Sequence, residues 1–139
     1  MKYNLNKVQK ILSEIIGALE NLKDLQQLNK KEFISNSHML GSCKYYFIVT
    51  IEGIIDLCNH LIAQNRYRTP KDYADTFQVL FEQGLFDEQF TNTLKKMARF
   101  RNRLIHLYWE VDKEELYQIL QTHLGDVELF LEKFRSIII

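Results

Sequence analysis

The sequence predicts an all-α protein, on three observations. Apolar residues recur at alternating spacings of three and four over long stretches, the period of an amphipathic helix. Five Gly and one Pro stand in 139 residues, where average usage would give roughly ten and seven, so few breakers interrupt those stretches. A chain that is 46% hydrophobic and 26% charged is globular and long enough to bury a core. The expected architecture is one domain, residues 1–139, folded as a compact bundle of four long helices plus one short helix.

The first helix starts from Asn4, a capping residue, and carries Leu5, Val8, Leu12, Ile15, Leu19 and Leu22 on one stripe to about Leu28. Asn29 to Asn36 is polar apart from Phe33 and Ile34 and reads as a connection. From His38 to about Ala63, Leu40, Cys43, Phe47, Ile51, Ile54, Cys58 and Leu61 keep helical spacing. Tyr46, Ile48, Val49 and Ile55 widen that stripe enough to bury two faces, as a central helix would. The β-branched run Ile48 to Ile51 lacks the bounding turn residues of a strand.

Thr69-Pro70 signals the start of the short helix, with Pro at the first helical position and Gly84 placed to end it. Asp87 caps the next helix. Asp112 followed by Glu115 is a capping-box pattern, so a break is expected near His106. Leu116 to Phe134 then forms the last long helix, with Gly125 as a tolerated interruption.

Zero net charge argues against a protein that coats nucleic acid through a global basic field, and leaves room for a local patch. Cys43 and Cys58 lie fifteen residues apart on one predicted helix, roughly 22 Å, too far to bridge. The first ten residues hold no apolar signal region, and the expectation is a soluble, cytoplasmic protein without a membrane partner. No Gly-rich phosphate loop or zinc-type Cys/His spacing is present, so neither cofactor nor metal is expected.

Chemistry concentrates in Met97-Ala98-Arg99-Phe100-Arg101-Asn102-Arg103-Leu104-Ile105-His106-Leu107-Tyr108-Trp109. His106 can take or give a proton near neutral pH. Arg101 can hold a phosphodiester through paired N–H donors and stabilise the charge of its transition state. On a straight helix these two, five apart, diverge by about 140°, and the break near His106 would let Arg101, His106 and Tyr108 face a common space. By residue type alone, the commoner meaning of an Arg and a His at a helix end is a dipole-stabilising C-terminus, with Tyr108 and Trp109 as packing residues.

Lys95, Lys96, Arg99, Arg101 and Arg103 place five cations in nine residues without a carboxylate. With Arg66 and Arg68 as further candidates and Tyr108 and Trp109 for stacking, they could track an RNA backbone, or simply form a solvated helix face. Asp56 and His60, four apart, are either a second polar cluster supporting the site or an ordinary helix pair.

The order Arg101-Asn102, three residues, His106, one residue, Tyr108 resembles the R-x4-H-x-Y motif of HepT-like toxins of the HEPN superfamily. The resemblance extends upstream through Glu52-Gly53-Ile54-Ile55-Asp56 to His60, then Thr69-Pro70 and Phe77 to Gly84, while residues 1–44 add little. It implies a HEPN-like helical homodimer whose two motifs share a cleft, and a metal-independent endoribonuclease toxin acting on RNA. Carried over, Arg101 binds the phosphate, His106 transfers the proton and Asn102 orients the site. The family's partner is a minimal nucleotidyltransferase antitoxin that attaches AMP to the motif tyrosine, here Tyr108. The alternative is a non-catalytic helical subunit that binds substrate or nucleotide within a nucleotidyltransferase complex.

Overall fold

The computed structural model describes residues 1–139 and contains only helical elements. In order they are α1 (Leu5–Gln26), α2 (Lys30–Ile34), α3 (Ser37–Gln64), α4 (Tyr73–Glu82), α5 (Glu88–His106), a 3₁₀ turn (Tyr108–Glu110), α6 (Lys113–Thr122) and α7 (Leu124–Ile138). Short polar side chains set most of the starts, because the first N–H groups of a helix have no partner inside it. Asn4, Asp87 and Asp112 accept from Lys7, Phe90 and Glu115 N–H at 3.0, 2.8 and 2.8 Å. Gly84 ends α4 with φ 76°, a conformation that costs glycine little.

Three boundaries differ from expectation. Asn29 to Asn36 contains the short helix α2, because Phe33 is fully buried and its ring meets Tyr117 of α6 at 5.9 Å. Pro70 precedes α4 rather than opening it: Asp72 is the cap, and the Asp75 carboxylate accepts from Lys71 N–H at 2.9 Å and holds residues 71–75 in a turn. The last stretch is two helices, divided at His123. The division lets Leu116 and Leu120 of α6 reach the core beside α2 and α3, while Val127, Phe130 and Phe134 of α7 pack toward α1.

α3 is the axis of the fold, touching α1, α2, α4, α5 and α6. By length and composition it could cross a membrane, but 61% of its most apolar stretch is buried within the protein. Ile54, Leu57 and Leu61 are fully buried, each contributing about 1.5–3 kcal/mol by removal from water. Both cysteines are free and buried, with their thiol pKa values pushed up by desolvation, Cys43 to about 12.

Helix α1 crosses α3 closely at Gly53. A Cβ on Gly53 would stand 2.5 Å from Ile15 Cγ1, and Ile15 is fully buried with nowhere to retreat. Gly53→Ala is therefore expected to destabilise the fold by about 1–3 kcal/mol in chemical denaturation. A double variant with Ile15→Ala should cost less than the sum of the two single changes, because the two residues compete for the same space.

Candidate functional site

Arg101 leaves α5 toward α3, and its side chain is only 13% exposed. Its Nε and Nη2 donate to one oxygen of Glu52, Oε1, at 3.1 and 2.8 Å. Nη1 donates to Asn102 Oδ1 at 3.1 Å. The guanidinium carbon sits 4.9 Å from the centre of the Tyr73 ring, at the first turn of α4, a cation–π contact. Helices α3, α4 and α5 thus each supply one wall of a socket for a single cation.

Of the five N–H groups of an arginine, three are engaged. One remains on each terminal nitrogen, the fork with which arginine grips two oxygens of a phosphate or carboxylate. Glu52 orders the charge without consuming that fork, and its own Oε2 makes no hydrogen bond.

His106 is the last residue of α5 and is exposed, with no hydrogen-bond partner. The last helical bond runs from Leu107 N–H to Arg103 O at 2.9 Å, Leu107 then leaves helical geometry at φ −133° and ψ 41°, and residues 108–110 continue as a 3₁₀ turn. Val111 alone turns back into the core. Tyr108 and Trp109 stand 60% and 67% exposed, edge to face at 5.4 Å. The junction therefore presents His106 and Tyr108 to solvent while Arg101 points inward. Within one chain no hydrogen bond joins Arg101 to His106 or Tyr108.

The basic group divides. Arg103 is clamped by Glu115 of α6 at 2.6 and 2.8 Å, and Lys95 Nζ donates to Gln78 Oε1 of α4 at 2.6 Å. Arg68 is held by Asp75 and Glu82. These three are engaged by partners within the chain. Lys96 and Arg99 form no ion pair, and they line a groove of about 550 Å³ with Phe47, Met97 and Phe100.

Asp56 and His60 do not bond to each other. His60 Nε2 accepts from Asn4 N–H at 2.9 Å, so the ring serves the start of α1 and is 94% buried there by its 6% exposure. Asp56 lies one turn beyond Glu52, and its carboxyl pKa is raised by desolvation, then by the charge of Glu52, with Lys7 opposing. No three His, Cys, Asp or Glu side chains come together to ligate a metal ion.

Glu52 and Tyr73 are the residues that reading the sequence missed. A signal for Glu52 exists: Glu52 and Asp56 are the only carboxylates, with no Lys or Arg, between Lys44 and Arg66. A charge inside so apolar a segment needs a partner. Nothing local marks Tyr73, which is recruited only by packing of α4 on α5.

Residues 15–134 match the family described as ribonuclease HepT-like. Over 85 residues the chain is 31% identical to the mRNA nuclease HepT of Shewanella oneidensis, a match covering 61% of this chain and 64% of that relative's length. Over 130 residues it is 22% identical to the tRNA nuclease HepT of Aphanizomenon flos-aquae, covering 91% of this chain and 86% of that one. The fold is that of the tri-AMPylated HEPN toxin of Shewanella oneidensis solved in complex with an MNT antitoxin. There the TM-score is 0.85 at 22% identity, covering 93% of this chain and 96% of the other.

Burial and the nearby Lys7 hold the His60 pKa below its ordinary 6.5. Between that lowered value and 6.5 the unfolded chain binds more protons than the folded one, so stability rises with pH across the window. The melting temperature is expected to be constant above pH 6.5 or so and to fall on acidification toward pH 5.5. His60→Gln, whose side-chain oxygen can still accept from Asn4 N–H, should show a flatter profile over the same range.

Proposed function

The chain belongs to the ribonuclease HepT-like family, and we propose that it is an endoribonuclease toxin of a toxin–antitoxin pair, acting as a homodimer. The observation that carries this reading is Arg101 held by Glu52, Asn102 and Tyr73 with its terminal fork unspent. It is joined by an unpartnered, exposed imidazole at the end of the same helix. In this account residues 1–139 form one catalytic domain of the cytoplasm.

The reaction needs no group beyond these. The 2′-hydroxyl of the RNA attacks the adjacent phosphorus while His106 removes its proton. Arg101 stabilises the extra negative charge on the phosphorane oxygens. The bond to the 5′-oxygen breaks, and that oxygen takes a proton from a second imidazole, leaving a 2′,3′-cyclic phosphate and a 5′-hydroxyl. Two imidazoles of opposite protonation are required, and a homodimer supplies one from each copy. Exposed Leu107, Tyr108 and Trp109 beside His106 support a site completed across two copies. Asn102 positions Arg101, and Lys96, Arg99 and Trp109 remain available to flanking RNA.

Tyr108 presents a phenol with no hydrogen-bond partner, 60% exposed, as a modifying enzyme requires. In the proposed regulation a nucleotidyltransferase antitoxin joins its oxygen to the α-phosphorus of ATP, releasing pyrophosphate and the phenolic proton. The bulky anion then opposes RNA by occupancy and like charge.

Induction of the wild-type chain is expected to arrest growth, and the purified protein to cleave RNA in EDTA. Arg101→Ala and His106→Ala should each lose about 10²-fold or more of the cleavage rate and permit growth. An inert wild type would overturn the nuclease reading in favour of a binding subunit of a nucleotidyltransferase complex.

A further inference from the structure

The segment between α3 and α4 forms a groove that the proposed reaction does not use. Its volume is about 560 Å³, within the range of small-ligand clefts. Arg66, Tyr67, Lys71 and Tyr73 line it, with Asn59 on the α3 side. Neither the Arg66 guanidinium nor the Lys71 ammonium has an ion pair or a hydrogen-bond partner, and both residues are exposed. The carboxylates around them are occupied. Asp75 and Glu82 share the single charge of Arg68, and the Asp72 carboxylate on the groove wall caps α4, accepting from Asp75 N–H at 2.7 Å.

Arg66 has φ 57°, the only residue other than glycine with a positive φ. It stands just past the end of α3, where Tyr67 N–H bonds back to Ile62 O at 3.0 Å, the position at which helices ordinarily place glycine. Any residue with a Cβ is less at ease there than glycine.

Tyr73 connects this groove to the candidate site, since the same ring that carries Arg101 lines the groove wall. Two free cations and two aromatic rings beside a phosphate-binding arginine match the chemistry of single-stranded nucleic acid, phosphates to the cations and bases to the rings. We infer that the groove of Arg66, Tyr67, Lys71 and Tyr73 is a subsite for the nucleotides flanking the cleaved phosphate of a single-stranded RNA. This rests on the ribonuclease reading for its substrate, and it can fail separately.

The test uses the full-length protein and a fluorescein-labelled 2′-O-methyl oligoribonucleotide, which cannot be cleaved through its 2′ position, with affinity followed by anisotropy over a salt series. Arg66→Gly is the informative variant, because glycine is at ease at that φ and the fold should be no less stable. Arg66→Gly and Lys71→Gln are each expected to weaken binding by about fivefold or more. Each should also flatten the slope of log affinity against log salt by about 0.7, the loss of one phosphate contact on a single strand. Wild-type affinity and slope in both variants would overturn the proposal and leave Arg66 a counter-charge for the end of α3. A wild type that binds no oligonucleotide, or one from which micromolar AMP alone displaces it, would also overturn it. Cleavage of ordinary RNA by the same preparations separates the two readings: variant-sensitive binding without wild-type cleavage keeps the subsite and removes the nuclease, and cleavage with variant-insensitive binding does the reverse.

Discussion

Arg101 and Glu52 meet across α5 and α3 at 2.8 Å, and the geometry of the candidate site follows from that pair. A free arginine side chain samples many rotamers, and ordering it for a phosphate costs entropy at each binding event. Here the cost is met in folding: one carboxylate oxygen takes two of its N–H groups, Asn102 takes a third, and Tyr73 covers a face. What remains is a preorganised fork, which is how electrostatic stabilisation of a transition state becomes effective. Because Glu52 is 41% exposed, water screens the pair, and its contribution to overall stability is small compared with its effect on orientation.

Glu52 stands beside a close helix crossing. Its neighbour Gly53 admits Ile15 of α1 at a distance no other residue would allow, so α1 braces α3 at the level of the site. Lys7 and Glu14 of α1 also act on Asp56 one turn further on. On the opposite flank, Arg103 with Glu115 and Lys95 with Gln78 tie α5 to α6 and α4. Arg103 and Lys95 thus hold the helix, and Lys96, Arg99 and Arg66 are the cations left free.

Much of the helical layout was legible because it depends on local chemistry. Asn4, Asp87, Asp112 and Gly84 mark helix ends through capping and backbone preference, and each lies where that chemistry requires. The helix α2 and the division at His123 were not legible. Five residues are too few to display a period, and the split near Gly125 serves packing of α6 and α7 on different neighbours. At the site, the order of Arg101, Asn102, His106 and Tyr108 could be read directly. The partner of Arg101 lies 49 residues away, and only folding reveals that one of two carboxylates in an apolar segment and a tyrosine of α4 complete the socket. The same holds for Arg103 and Lys95, whose residue type suggested RNA and whose contacts are structural.

The most direct measurement is the split between kcat and KM for RNA cleavage in Glu52→Ala and Glu52→Gln. Glu52 acts here as a positioning residue, so alanine should lower kcat by about tenfold or more with little change in KM. Glutamine, whose amide oxygen still accepts both Arg101 N–H groups, should restore much of it. A faster enzyme on removal of Glu52 would contradict the account, because it would mean that the carboxylate blocks Arg101 instead of aiming it.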